Sequence, residues 1–222
     1  MKSTLKYFSF VLVTLLLGGC FEIKEEVNVN NDGSGDLVLT IDMSASKENL
    51  ANFMRKGEIN GVKIPDQNTI EQEITRLKKV LKETKGISEV KSTSDYEAFV
   101  FTLSGNFTNT KALNKAINRS IAHFNEGLIP VPKKDNFGFS SNQFTRYFKY
   151  RLRKGLYEKL DFGTRFVLDA ARLTSIYRFK RPVKSVSNPN AQLSANSKAV
   201  RMSSSLAEIV RKEVTVANDI SF

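Results

Sequence analysis

The run Phe21-Glu22-Ile23-Lys24-Glu25-Glu26-Val27-Asn28-Val29-Asn30 leads into Asn31-Asp32-Gly33-Ser34-Gly35 and then Asp36-Leu37-Val38-Leu39-Thr40-Ile41-Asp42-Met43. In the first part Phe21, Ile23, Val27 and Val29 alternate with Glu22, Lys24, Glu26 and Asn28, the two-residue period of a half-buried strand. In the last part Leu37, Leu39, Ile41 and Met43 alternate against Asp36, Thr40 and Asp42. The five residues between them are turn formers, so the whole reads as a β-hairpin closed by an Asp-Gly loop. One residue breaks the pattern: Glu25 falls on the apolar face. Asn30, Asp32, Ser34 and Asp36, with Gly35, imitate the first half of a calcium loop, but the twelfth place holds Ile41 and not a bidentate acid. The turn reading is therefore preferred.

Upstream of the hairpin, Lys2 and Lys6 precede an almost wholly apolar run from Tyr7 to Leu17, and Leu17-Gly18-Gly19-Cys20 follows. A positive start, a short apolar stretch and small residues make a secretory signal peptide. The run is too short for a membrane span, which needs about 20 apolar residues. The Leu-Gly-Gly-Cys ending resembles a bacterial lipobox. That resemblance implies recognition of Leu17, Gly18 and Gly19 by the signal peptidase and lipidation of Cys20, which becomes the first residue of the mature chain. The expected organisation is a cleaved signal peptide at 1–19 and a single domain over 20–222. A strand beginning directly after Cys20 leaves hardly any tether, so the domain should sit close to the membrane. Phe21, not aspartate, follows the cysteine. By resemblance to the known sorting rule this disfavours inner-membrane retention and favours the outer membrane of the cell envelope.

The mature chain keeps roughly 200 residues, enough for one sizeable domain. With 41% hydrophobic and 10% aromatic residues it can build a packed core. Cys20 is the only cysteine, so no disulfide can form within the chain. The net charge of +11 favours acidic partners. For an exported protein these are anionic lipid, glycolipid or an acidic envelope protein, and not nucleic acid.

Downstream, Ser44 or Ser46 can cap a short helix carrying Leu50, Phe53 and Met54. Gly57, Gly61 and Pro65 mark a loop. Ile70, Ile74, Leu77 and Leu81 share one helical face, with capping-box spacing at Asn68/Glu71 and Thr69/Gln72. Ile87–Thr93 and Tyr96–Phe107 read as paired strands, and Thr110–Asn125 as a third helix with Leu113, Ile117, Ile121 and Phe124 on one side. Residues 131–142 read as a loop, Phe144–Leu152 as a strand, and the segment from Leu173 to the end as mostly β, with one helical turn or two at Leu206–Arg211. The class implied is α+β: a mainly antiparallel sheet with about three helices packed on one side.

Two stretches together resemble the LppM-type bacterial lipoprotein domain family. One is Val27-Asn28-Val29-Asn30-Asn31-Asp32-Gly33-Ser34-Gly35. The other is Tyr177-Arg178-Phe179-Lys180-Arg181-Pro182-Val183-Lys184-Ser185-Val186-Ser187-Asn188. The order of lipobox, hairpin, helical middle and late β-rich region also matches. The resemblance implies a fold similar to lipid-binding proteins and a non-enzymatic envelope role, with lipid or glycolipid as ligand. Some members continue into a C-terminal membrane helix; after Phe222 there is none here, so the lipid would be the only anchor.

Catalytic chemistry has little to draw on. His123, the single histidine, lies between Ala122 and Phe124, and a general acid or base would need a partner carboxylate and a cleft. No nucleophile elbow, zinc motif or phosphate loop is present, and no cofactor is implied. The strongest binding candidate is Arg146-Tyr147-Phe148-Lys149-Tyr150-Arg151-Leu152-Arg153-Lys154, five bases interleaved with aromatics. On a strand, Tyr147, Lys149, Arg151 and Arg153 would share a cationic face. Arg178, Lys180, Arg181 and Lys184 would join this patch if both strands lay in one sheet. Arg146, Lys149, Arg151, Arg153, Arg178, Lys180 and Arg181 are therefore the expected anionic-surface contacts. The alternative is an assembly or scaffold subunit that recruits another envelope protein and has no lipid ligand.

Overall fold

The computed structural model describes residues 21–59, 62–124, 133–148, 155–160, 165 and 168–222. The expected signal peptide at 1–19 and Cys20 lie outside them. The expected hairpin is present: β1 (Phe21–Val29) and β2 (Gly35–Asp42) pair antiparallel with Val27 opposite Leu37 and Ile23 opposite Ile41. Asp32 shapes the turn by accepting from both the backbone N–H and the hydroxyl of Ser34, at 3.0 and 2.7 Å. These bonds hold the Asp32 carboxyl below its ordinary range. The carboxylate is committed to the turn, as the sequence reading prefers.

After β2 come α1 (Lys47–Lys56), a small hairpin of β3 (Glu58–Ile59) and β4 (Val62–Lys63), and α2 (Gln67–Lys82). The cap of α2 is Asp66, whose side chain accepts from the Thr69 backbone N–H, and not Asn68 or Thr69. Pro65 before it makes an early start inviting, and Asp caps as well as Asn. Next are β5 (Ile87–Asp95), β6 (Val100–Phe107) and α3 (Thr110–Phe124). Where a loop is expected lies β7 (Phe137–Ser140), followed by β8 (Gln143–Arg146). The last part contains β9 (Ala171–Phe179), β10 (Ser185–Val186), β11 (Gln192–Leu193), β12 (Ala199–Ser205), α4 (Leu206–Arg211) and β13 (Asn218–Ser221). A full capping box of Ser205 and Glu208 starts α4. The helices outnumber the three expected.

Two sheets result. The larger runs β11-β12-β9-β1-β2-β6-β5, antiparallel except for the β1–β9 pair. The smaller runs β10-β13-β8-β7 and has no counterpart in the expected architecture. The α+β class with a mainly antiparallel sheet is as expected. Its packed core lies between the sheets, at the Val29 end of β1. Val27, Val29, Tyr177, Phe179, Val200 and Met202 of the large sheet meet Phe137, Phe144 and Ile220 of the small one, and Leu113 of α3 closes the side. The Phe144 and Tyr177 ring centroids are 5.4 Å apart, and Phe137 meets Tyr177 edge-on at 6.1 Å. Such aromatic pairs contribute about 0.5–1.5 kcal/mol beyond area burial. At the Phe21 end the inward residues Ile23, Ile41, Phe101 and Leu103 are only half-buried, and neither α1 nor α2 has a fully buried residue.

The strand expected over Phe144–Leu152 stops at Arg146. The Arg146 guanidinium donates to the Tyr147 carbonyl at 2.9 Å, taking that carbonyl out of any ladder. The Tyr147 N–H goes to the Asn136 carbonyl at 2.8 Å.

Two outcomes test this packing. An added Cβ at Gly35 would overlap the backbone carbonyl of Asn28 and press on the Phe107 ring. Gly35→Ala should therefore cost at least about 2 kcal/mol in urea unfolding. Tyr96, at the β5–β6 tip, donates to Glu71 of α2 at 3.0 Å. Burial, and then the Glu71 carboxylate, push its phenol up to about 12. The folded state thus holds this proton more tightly than the unfolded chain. Its contribution to stability should be complete below pH 10 and lost between pH 10 and 12, and Tyr96→Phe should flatten that part of the pH–stability curve.

Candidate functional site

Glu25, the misfit of the first strand, is answered by Arg146. The Arg146 Nε and Nη2 reach Glu25 Oε1 and Oε2 at 3.3 and 3.2 Å, a bidentate pair between the two sheets. Arg146 Nη1 donates to the Asn136 and Tyr147 carbonyls, so every guanidinium nitrogen is partnered. The Tyr177 hydroxyl donates to Glu25 at 2.8 Å, and the Ser175 hydroxyl is at 3.5 Å. Burial on its own would lower the proton affinity of Arg146, but the Glu25 carboxylate and then Tyr177 raise it above the ordinary value. Burial, followed by the charge of Glu25, also raises the Tyr177 phenol. Both shifts keep the proton on its group: Arg146 stays a cation and the Tyr177 phenol stays neutral.

This corrects the expected cationic face. Arg146 is buried, 8% exposed, and points at Glu25 between the sheets. It is not available to an anionic surface. Lys149, Arg151 and Arg153 lie outside the described residues. The strands carrying Arg146 and Arg178 belong to different sheets. Arg178 stands on the outer face of the large sheet and pairs with Glu26 at 3.0 Å. Lys180 is exposed, and Arg181 stacks over the Phe222 ring at 4.0 Å. The structure does not bring Arg146, Arg178, Lys180 and Arg181 onto one surface.

A different cationic surface is present on α3. Lys111, Lys115 and Arg119 recur every fourth residue along its outer side, and Lys133 faces them across a groove of about 520 Å³ that also contains Asp135. Asn114 and Asn118 hold the far wall. The Asn114 carbonyl oxygen accepts the backbone N–H groups of Asn136 and Phe137, both at 2.9 Å, and its amide donates to the Phe137 carbonyl at 2.8 Å. The Asn118 amide donates to the Lys134 carbonyl at 2.9 Å, and its oxygen accepts the Lys134 backbone N–H at 3.1 Å. Sequence reasoning misses these residues, although the four-residue spacing of Lys111, Lys115 and Arg119 is a legible signal.

His123 sits 14% exposed between α2 and α3, its Nε2 3.4 Å from Glu73 Oε2. Nothing local in the sequence points to this carboxylate. The two groups are close but not aligned, and the buried Nε2 makes no hydrogen bond. Neither of the two surface cavities described for this protein is lined by His123.

The Phe21 end of the large sheet has its own character. Glu22 is opposite Asp42, and α1 follows five residues later. Within α1, Leu50, Phe53 and Met54 lie to one side, Phe53 is 36% exposed, and Lys47, Arg55 and Lys56 outnumber Glu48.

No family model matches this chain, and no curated protein does. Among solved structures, the folded domain of LppM from Mycobacterium tuberculosis, determined by NMR, shares 11% identity over 92% of this chain and 88% of its own, with a TM-score of 0.39. That is a weak likeness of fold.

Removing one partner of the buried pair should be far worse than removing both. Arg146→Ala should cost about 3–5 kcal/mol by chemical denaturation, whereas the double variant Glu25→Leu/Arg146→Met should recover most of that loss.

Proposed function

We propose that this chain is a lipid-anchored, non-enzymatic protein of the bacterial cell envelope, held at the bilayer by acylated Cys20 and by α1. The observation that carries the reading is the coincidence of two membrane-seeking features at one end of the molecule. The lipobox cysteine directly precedes the first residue of β1, and the amphipathic α1 starts beside the same strand ends. Phe53 and the partly covered Leu50 and Met54 suit the acyl boundary, and Lys47, Arg55 and Lys56 suit anionic headgroups. A second acyl chain makes anchoring durable where one is marginal, because each buried methylene contributes about 0.8 kcal/mol. Among the described residues no helix is long and apolar enough to cross a membrane. Phe21 after the cysteine supports placement in the outer membrane.

Labelled palmitate should incorporate into the full chain expressed in a bacterial host, and Cys20→Ala should abolish incorporation. Label retained in that variant would sink the lipoprotein reading. The chain contains no tryptophan, so Phe53→Trp supplies a clean reporter for α1. In vesicles containing anionic lipid its emission should shift to the blue and be quenched by brominated acyl chains, while Leu193→Trp, on β11, should not respond. An unquenched indole in the Phe53→Trp variant would remove α1 from the bilayer contact.

A further inference from the structure

We propose that the groove along α3 is a binding site for a dianionic phosphomonoester. Its charge is the first argument. Lys111, Lys115 and Lys133 line it with no ion pair among the described residues, whereas the Arg119 guanidinium is already engaged by the Glu83 carboxylate at 3.5 Å and the Glu83 carbonyl at 3.0 Å. Asp135 is the one acid in the lining. Three free ammonium groups against one carboxylate leave a surplus of two positive charges. A phosphomonoester carries about −1.5 to −2 near neutral pH and matches that surplus; a single carboxylate does not.

Preorganisation is the second argument. A surface scatter of lysines would have no fixed spacing. Here the two walls are tied by the five hydrogen bonds that Asn114 and Asn118 make to the backbone at 134–137. Both asparagines lie one helical turn apart, as do Lys111 and Lys115, about 6 Å along the axis. The side-chain amides thus fix the height of Lys133 against the α3 lysines before any ligand arrives, which lowers the ordering cost of binding. Asp135 is held in turn: the Asn114 amide lies 3.4 Å from its carboxylate. There it can accept from a hydroxyl on the phosphate-bearing group, a polarity that phosphate alone would not need. The volume of about 520 Å³ is in the range of small-ligand sites and far exceeds one phosphate. The reading is independent of the lipid anchor, because Lys111 also lines a smaller cavity with Asp32 and Gly33, in the turn at the opposite end of β1 from Phe21.

The same phosphomonoester chemistry occurs on soluble metabolites and on lipid headgroups, and one experiment separates them. Full-length protein in neutral detergent is titrated at low ionic strength with glycerol phosphate, and in parallel with phosphatidic acid in mixed micelles, using phosphatidylcholine as the zwitterionic control. Amide NMR shifts are followed. Saturable shifts confined to residues 111–119 and 133–135 are expected. Their appearance with glycerol phosphate assigns a soluble ligand, and with phosphatidic acid alone a lipid headgroup. Lys111→Glu/Lys115→Glu should weaken binding at least about tenfold, with unchanged far-UV circular dichroism, and Lys198→Glu on the remote β11–β12 turn should leave it intact. No saturable shift with either probe, or equal affinity in the double variant, overturns the proposal.

Discussion

The buried pair of Glu25 and Arg146 is the constraint on which the arrangement of the two sheets depends. Each partner is expensive to bury alone, and together they break even only if the remaining lone pairs and protons are also satisfied. The structure meets that condition by adding the Tyr177 and Ser175 hydroxyls on the acid side and the Asn136 and Tyr147 carbonyls on the basic side. The partners come from β1 and β8, 121 positions apart, and from different sheets. A slip of one residue in β1 would turn Glu25 outward and leave Arg146 buried without its counter-charge. The pair therefore fixes register as well as docking. The aromatic cluster of Phe137, Phe144 and Tyr177 beside it supplies cohesion but, being non-directional, could not choose the register alone.

The same pair explains what could be read from the sequence and what could not. Local periodicity located β1, β2, α3 and the late strands to within a few residues, because each carries its signal in consecutive positions. The misfit of Glu25 was visible too, but its partner was not: nothing local distinguishes Arg146 from Lys149 or Arg151 in a basic run. Reading that run as one cationic strand face assumed that every base seeks solvent. A guanidinium that finds a carboxylate, a phenol and two carbonyls is an exception that only the tertiary contact reveals. The missed β7 has a related cause. Its four residues are flanked by polar turn formers, and they form a strand because β8 pairs with them and Asn114 of α3 bonds to the Phe137 backbone. His123 is similar, since Glu73 lies fifty positions away on another helix.

The charge surplus of the chain is distributed with some selectivity. On the outer face of the large sheet, bases face acids: Lys24 lies near Glu22, and Arg178 pairs with Glu26. Further cations stand on α1 near the Phe21 end of the sheet and on the groove side of α3. A high net charge by itself predicts only attraction to anions and solubility. Neutralisation on the sheet is partial, since among the described residues Arg172 meets only the Ser203 hydroxyl and Arg201 is exposed, and α1 and the α3 groove are two separate places where that attraction can act.

Distance keeps the two apart. The course of α3 can be traced from its neighbours: Lys111 lines a cavity with Asp32 and Gly33, while His123 meets Glu73, close to Glu71 and the Tyr96 tip. The helix thus runs from the far turn back toward the end where β1 begins. Nine strand residues at about 3.3 Å each separate those ends by about 30 Å, against a Debye length of about 8 Å at physiological ionic strength. Under the proposed anchoring by Cys20 and α1, β1 would point away from the bilayer, and the first turn of α3 would stand several screening lengths beyond the surface potential of that leaflet. The bases of α1 would feel that potential; Lys111 would not. An anion in the α3 groove must then be drawn by the groove itself, from solution or from a lipid lifted out of its membrane. Mutations at the two sites should accordingly act additively, without coupling.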